Sequence, residues 1–211
     1  MIYGRKTIAV LKAAWLIVLL CVWPAAARSA FDVYLADAGQ QPGYYHAQPA
    51  VRKHTSGRHY AKLAGASVRQ AARTIAAEYG IPPRLYEALC EFESGFIFAR
   101  GSSGEHGYSQ VMEKSGQMLQ DNGQVRSTWR HDPLENLRAG AVHLSNLKAA
   151  LTIEEIRYAK RHGYNLWAIL LAQYNAGKTG VARRIRAGGR LSGKQEWYIY
   201  NVLKRYNRLE R

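Results

Sequence analysis

The stretch NLWAILLAQY, at Asn165–Tyr174, has apolar side chains at almost every position and carries no charge. A helix that is apolar on all sides has no face to present to water, so it belongs in the interior of a domain. We therefore expect this segment to be a central helix, with the other helices of the domain packed around it.

Helix start signals recur on both sides of this segment. DPLE at Asp132–Glu135 supplies a capping residue, a proline in the first turn and an acid at the third position. TIEE at Thr152–Glu155 is predicted to begin another helix. EWYIYNVLKRY at residues 196–206, near the C-terminus, is predicted to form an amphipathic helix. Apolar residues follow Asp132 at helical spacing, which marks one buried face: Leu134, Leu137, Ala141, Leu144, Leu147 and Leu151.

Two further helices are predicted upstream. SVRQ at Ser67–Gln70 can form a capping box, with Ser67 as N-cap of a helix that reaches Tyr79 and stops at Gly80. A second helix then begins at Pro82 or Pro83, because proline is tolerated in a first turn. Little of the sequence alternates with a period of two, so the predicted fold class is all-α, with one domain over residues 67–211.

The N-terminal region has the composition of a targeting segment. Basic residues precede the apolar run AAWLIVLLCVWPAAA, which is shorter than the ~20 residues needed to span a bilayer and ends in small residues. We interpret residues 1–27 as a signal peptide, with a retained membrane anchor as the alternative. Residues 28–66 are rich in Gln, Gly, Tyr, His and Ala and are predicted to be a flexible linker.

The charge balance favours an anionic partner. The chain has a net charge of +15, and removal of residues 1–27 takes away three basic and no acidic residues, leaving +12. Nucleic acid, a membrane surface or an acidic polymer fits this charge, and export favours the last two. Cys90 is the single cysteine after residue 27, so no internal disulfide is expected; neither HExxH nor CxxC occurs, and no metal site is predicted.

The stretch EFESGF at Glu91–Phe96 holds the candidate catalytic group. At 100° per residue, Glu87 and Glu91 project away from the apolar stripe of this helix and are predicted to be solvated. The members of the predicted buried stripe are Leu85, Leu89, Phe92 and Phe96.

Glu93 lies on the flank of that stripe, where its carboxyl is partly desolvated. Desolvation raises the pKa of a carboxyl toward neutral pH, as the acid of a glycosidic cleavage requires. Periodicity leaves a capping or ion-paired Glu93 equally open. Gly95 predicts that the helix ends nearby and leaves Glu93 at the edge of a cleft.

Four segments in the same order resemble the soluble lytic transglycosylase family. They are ESGF (93–96), SSGEHGYSQVM (102–112), DPLENLRAGAVHL (132–144) and LAQYNAGKTGV (171–181), and the similarity covers about residues 76–181. The resemblance implies a goose-lysozyme-like helical domain with a catalytic groove that cleaves peptidoglycan.

Matched position by position, the resemblance implies that Glu93 is the catalytic acid/base and that Tyr174 is placed to interact with it. The other matched positions are implied to line or shape the sugar groove, the glycines by permitting a tight loop. These positions are Ser94, Gly104, Gly107, Tyr108, Gln110, Met112, Asn175 and Tyr198.

The sequence departs from the family pattern in places. Tyr108-Ser109 stands where Leu-Met is usual, which predicts a more polar groove wall. Glu113 and Lys178 replace usual prolines, and the final motif is partial, since only Tyr198-Ile199 fits it. None of these changes touches the acid itself.

The implied reaction cleaves the MurNAc–GlcNAc bond and leaves a 1,6-anhydroMurNAc end, without cofactor or metal. One alternative is a hydrolytic muramidase, which needs a second carboxylate from Glu105 or Asp132. Another is a non-catalytic peptidoglycan-binding scaffold. The expected setting is the periplasm of a Gram-negative bacterium, as a monomer acting on glycan strands, in wall remodelling or for a secretion, conjugation or pilus complex, with no nucleic acid partner.

Overall fold

The computed structural model describes residues 65–210, which form eight α-helices, one 3-10 helix (Ser127–Arg130) and one antiparallel hairpin of strands β1 (Glu105–His106) and β2 (Val111–Met112). The all-α class is confirmed. The predicted signal peptide and nearly all of the predicted linker lie outside the described residues. The helices are α1 (Gly65–Glu78), α2 (Pro83–Ser94), α3 (Glu113–Asp121), α4 (Pro133–Ala149), α5 (Ile153–His162), α6 (Leu166–Ala176), α7 (Lys178–Arg186) and α8 (Gly193–Leu209).

Helix α6 is the centre of the domain, as its sequence predicts. Its residues Leu166–Gln173 are buried without interruption, and it packs against α4, α5, α7 and α8. Asn165 caps its start by accepting a hydrogen bond of 2.8 Å from the backbone amide of Ala168. Within residues 65–210, no helix is both long and apolar enough to cross a lipid bilayer.

The two predicted caps around α6 are confirmed. Asp132 accepts hydrogen bonds from the backbone amides of Leu134 and Glu135 at the start of α4. Thr152 and Glu155 form a capping box on α5. Glu155 also accepts a 2.6 Å hydrogen bond from Gln173 of α6, so this buried carboxylate joins two helices as well as capping one.

The predicted start of α1 is wrong by three residues, since Ser67 as N-cap would make Val68 the first helical residue. The helix already begins at Gly65, so Ser67 lies inside its first turn and is not the N-cap. A Ser-x-x-Gln pattern is also compatible with a helix interior, and Gly65 and Ala66 extend the helix backwards. The predicted stop is confirmed, since Gly80 adopts the left-handed conformation (φ 66°) that favours glycine.

Glu87 and Glu91 are not solvated, contrary to the prediction from periodicity. Glu87 is 2% exposed and pairs with Arg69 at 3.3 Å and Arg73 at 2.9 Å, both on α1. Glu91 pairs with Arg69 and with Arg208 of α8. Helix α2 packs against α1 on one side and α8 on another, so it has more than one covered face. A carboxylate buried in this way requires charged partners.

The apolar stripe of α2 is only partly confirmed. Leu85 and Leu89 are buried, whereas Phe92 and Phe96 are half-buried. Phe96 lies beyond the end of the helix, with a positive φ of 60°, so helical periodicity no longer applies to it.

A second core cluster surrounds Trp129 of the 3-10 helix, which is fully buried. Gly116 of α3 lies directly against the indole ring: a Cβ atom at this position would be 2.2 Å from Trp129 Cζ2. Gly180 of α7, by contrast, has no neighbouring atom within 4 Å of such a Cβ. The two helical glycines therefore differ in the space beside them.

We expect Gly116→Ala to destabilise the domain by about 1–3 kcal/mol, because overpacking against Trp129 outweighs the better helix propensity of alanine. Gly180→Ala is the matched control and should be neutral or stabilising by up to about 1 kcal/mol. Chemical denaturation of the two variants measures both effects. Equal stabilisation by both would show that Trp129 does not pack against α3 as described.

Candidate active site

Glu93 lies in the last turn of α2, one residue before the helix ends at Ser94. Gly95 terminates the helix in the left-handed conformation (φ 60°), and its amide donates to the Glu91 carbonyl at 3.0 Å. The predicted helix end is therefore confirmed. The Glu93 side chain projects from this end toward α8, where Tyr198 meets it.

Tyr198, not Tyr174, donates a hydrogen bond to the Glu93 carboxyl. The Tyr198 side chain is buried, and its ring packs edge-on against Phe92 with centroids 5.0 Å apart. The hydroxyl of Tyr174 instead donates to the Ser109 carbonyl at 2.8 Å. Burial and then the charge of Glu93 raise the pKa of Tyr174, so Tyr174 interacts with Glu93 electrostatically and not through a hydrogen bond. Tyr198 has the contact because α8 packs along α2.

The environment of Glu93 raises the pKa of its carboxyl from 4.5 to about 7. Burial has the largest effect because it disfavours the charged form. The hydrogen bond from Tyr198 acts in the opposite direction, since it stabilises the carboxylate, and the negative charge of Glu105 raises the pKa further. At neutral pH the group is therefore present in both protonation states and can give or accept a proton.

The hairpin loop that faces Glu93 requires glycine at Gly107. This residue has φ 71°, and a Cβ atom there would lie 2.3 Å from the side chain of Asn136. Asn136 of α4 is buried and organises the loop: it accepts from the Ser109 amide at 3.2 Å and donates to the His106 carbonyl at 2.9 Å. Gly104 also has a positive φ, of 91°. Both predicted loop glycines thus adopt conformations that favour glycine.

The side chain of Gln110 is fixed by the same loop. Its Nε2 atom donates to the carbonyls of Gly107 at 2.7 Å and Ala99 at 3.2 Å. A Cβ atom at Gly101 would meet Gln110 Oε1 at 2.5 Å and Glu105 Oε2 at 2.4 Å. The absence of a side chain at Gly101 therefore leaves the space that the side-chain oxygens of Gln110 and Glu105 occupy.

Ser94 connects the end of α2 to the hairpin loop. Its hydroxyl lies 2.8 Å from the Tyr108 carbonyl and 3.1 Å from the Cys90 carbonyl, and it accepts from the Phe96 amide at 3.1 Å. The hydrogen-bonding groups of the Ser94 hydroxyl therefore have partners within the protein. The geometry therefore gives Ser94 a part in holding the loop next to Glu93.

The groove wall is not made more polar by Tyr108 and Ser109. Tyr108 is 7% exposed, and its ring packs against Phe98 with centroids 5.0 Å apart. Ser109 is fully buried, with its hydroxyl donating to the Asn136 carbonyl at 2.9 Å. The prediction of a polar wall is wrong because this turn faces α4 and the core.

Other predicted positions are open to solvent. Met112 on β2 is 44% exposed, and Asn175 at the end of α6 is exposed, with a side chain that makes no hydrogen bond within residues 67–210. In the same part of the chain, no cluster of His, Cys, Asp or Glu side chains has the arrangement of a metal site.

His143 was not predicted as part of this region. Its ring lies 5.3 Å from that of Tyr174, and burial lowers its pKa to about 4, so the imidazole is neutral at pH 7. Periodicity gives no signal for this contact, because it depends on how α4 and α6 pack.

We expect Tyr198→Phe to raise the pKa of Glu93 above 7, because the hydrogen bond that stabilises its carboxylate is lost. Glu105→Gln should lower it, because a nearby negative charge is removed. A ¹³C NMR titration of the glutamate carboxyl carbons measures both shifts. Shifts of the same sign in the two variants would contradict the described surroundings of Glu93.

The family model described as Transglycosylase SLT domain matches residues 70–197, from α1 to the first turn of α8. No curated protein matches the chain. The match includes Glu93, the hairpin loop and the end of α6, and it stops one residue before Tyr198. The chain thus belongs to the Transglycosylase SLT domain family, whose members are in general lytic transglycosylases acting on peptidoglycan.

Proposed function

We propose that the protein is a lytic transglycosylase that cleaves the β-1,4 bond between N-acetylmuramic acid and N-acetylglucosamine and leaves a 1,6-anhydro end. The observation that carries this proposal is the half-buried Glu93 carboxyl, which has a pKa of about 7 and accepts a hydrogen bond from Tyr198 next to the hairpin loop. A perturbed acid of this kind is typical of sites that transfer protons.

In the first step, protonated Glu93 donates its proton to the glycosidic oxygen, and the bond from that oxygen to C1 of the muramoyl residue breaks. Positive charge develops on C1, where the 2-acetamido group of the substrate stabilises it. The electron pair of the broken bond stays with the leaving N-acetylglucosamine oxygen. Glu93 is left as a carboxylate that accepts the hydrogen bond from Tyr198.

In the second step, the Glu93 carboxylate removes the proton of the muramoyl C6 hydroxyl, and O6 forms a bond to C1. The proton returns to Glu93, no water is consumed and no cofactor takes part. A pKa near the working pH suits a group that acts first as acid and then as base. The hydrogen bond from Tyr198 serves the intermediate state, because it stabilises the charged form.

One positioned acid/base typically supplies ~10²–10⁴ of rate enhancement, so the remainder has to come from alignment of the glycan. The exposed side chains of Met112 and Asn175 and the fixed amide of Gln110 are proposed to contact the sugars.

A hydrolytic reaction on the same site is the second candidate, and Glu105 is the observation that favours it. Its charge raises the pKa of Glu93, so the two carboxyl groups interact electrostatically. Asp132, the other candidate, is engaged as the cap of α4. A hydrolase would use Glu105 as the base that activates water.

The proposed setting is the periplasm of a Gram-negative bacterium, reached through the signal peptide at residues 1–27, or its membrane if that segment is retained. Glycan strands are the proposed partner of a monomeric enzyme. Local opening of the wall for a secretion, conjugation or pilus complex is the specialised form of this proposal.

Mass spectrometry of the muropeptides released from purified peptidoglycan tests the proposal. We expect products lighter by one water molecule than those of hydrolysis. Glu93→Gln should abolish them, because an amide cannot donate this proton, whereas the control Glu154→Gln, which changes an exposed carboxyl on α5, should retain them.

Products that contain the added water, and that disappear with Glu105→Gln, would establish the hydrolase instead. Binding of peptidoglycan without release of any product would indicate a non-catalytic binding protein.

A further inference from the structure

Helices α5 and α7 carry a concentration of positive charge. No acidic residue occurs between Glu155 and Glu196, a stretch that includes nine lysines and arginines. The two helices pack against each other, and the Tyr158 hydroxyl of α5 accepts a 3.0 Å hydrogen bond from the amide of Leu191, beyond the end of α7. We name their exposed cations the basic surface: Arg157, Lys160 and Arg161 on α5, and Arg183, Arg184 and Arg186 on α7.

The cations of the basic surface differ from those of α1 and α4 in their partners. Arg69, Arg73 and Arg138 each pair with a carboxylate at 2.9–3.3 Å. None of the six cations of the basic surface forms an ion pair within residues 67–210. Unpaired like charges on one surface create a positive potential, which attracts anions.

The helix dipole does not account for this excess. All three basic-surface cations of α7, and two of those on α5, lie in the last turn of their helix. A helix C-terminus is equivalent to a charge of about −0.5. It therefore offsets only a part of the positive charge placed there.

The surface lacks the side chains of a lipid-binding helix. Interfacial helices combine cations with large apolar residues that enter the bilayer. Among the exposed large apolar residues of the described chain, only Ile153 belongs to α5 or α7. An anionic polymer that remains in water therefore fits this surface better than a membrane does.

We propose that the basic surface binds the carboxylate groups of the peptide stems of peptidoglycan. Helix α7 follows directly on the end of α6, which carries Tyr174 and Asn175. The cations lie in the last turn of α7, about 12 Å along the helix, so the stems of a glycan strand held next to Tyr174 and Asn175 would reach them by extending along α7. The choice of this polymer rests on the proposed function.

Cosedimentation of the full chain with purified peptidoglycan tests this inference. The Glu93→Gln form is used, so that binding is measured without cleavage. We expect the triple variant Arg183→Gln, Arg184→Gln, Arg186→Gln to bind about tenfold more weakly, as suits the loss of three exposed ion pairs. The matched control removes three exposed cations elsewhere: Lys114→Gln, Arg126→Gln, Lys204→Gln.

The control variant should bind as tightly as Glu93→Gln alone. Peptidoglycan whose stems have been removed by an amidase should bind the two triple variants equally. Equal binding to stripped and intact peptidoglycan would overturn the inference. Tighter binding to phosphatidylglycerol vesicles or to duplex DNA would also overturn it, in favour of those partners. Absence of cleavage by the unmutated protein, with this binding intact, would refute only the proposed reaction.

Discussion

The carboxyl of Glu93 is subject to two opposing effects, and the proposed chemistry depends on their balance. Burial at the end of α2 disfavours its charge, while the hydroxyl of Tyr198 stabilises that charge through a hydrogen bond. Burial alone would raise the pKa of the carboxyl further, and the acid would then release its proton less readily. The hydrogen bond alone would give an ordinary carboxylate. Together they produce a pKa of about 7, which matches the two proton transfers of the proposed reaction.

Ion pairs join α2, which carries Glu93, to α1 and to α8, which carries Tyr198. Glu87 and Glu91 of α2 both pair with Arg69 of α1, and Glu91 also pairs with Arg208 of α8. Helices α2 and α8 are therefore connected both by an ion pair and by the hydrogen bond at the site. Removal of one member of a buried pair leaves an uncompensated charge. The two carboxylates that periodicity placed in solvent thus connect α2 to its neighbouring helices.

Much of the fold could be predicted because its signals are local. The apolar run of α6, the caps at Asp132 and Thr152 and the stop at Gly80 each act within a few residues of sequence. The burial of Glu87 is different, because a single helix shows only one apolar stripe and gives no sign of a second neighbour. The spacing of Arg69 and Arg73, one turn apart on α1, was the available signal that a carboxylate partner lay opposite.

In the candidate site, too, local signals could be predicted from the sequence and contacts between helices could not. Glu93 and the loop glycines could be located from their motifs, whereas the partner of Glu93 could not, since Tyr174 and Tyr198 are both tyrosines in matched positions. Only the packing of α8 on α2 assigns the hydrogen bond to Tyr198. Ser109 was likewise misplaced, because its burial follows from the contact of the loop with Asn136 of α4.

The most direct test of the account is the unfolding free energy of the unmutated protein and of Glu93→Gln as a function of pH. The folded pKa of Glu93 lies above the unfolded value, so the ionised carboxyl destabilises the folded state as pH rises from 4.5 to about 7. The account predicts that the unmutated protein loses about 3 kcal/mol relative to the variant over this interval, with no further change above it. A difference that stays constant between these pH values would show that Glu93 is an ordinary solvated carboxylate, and would contradict its role as the acid.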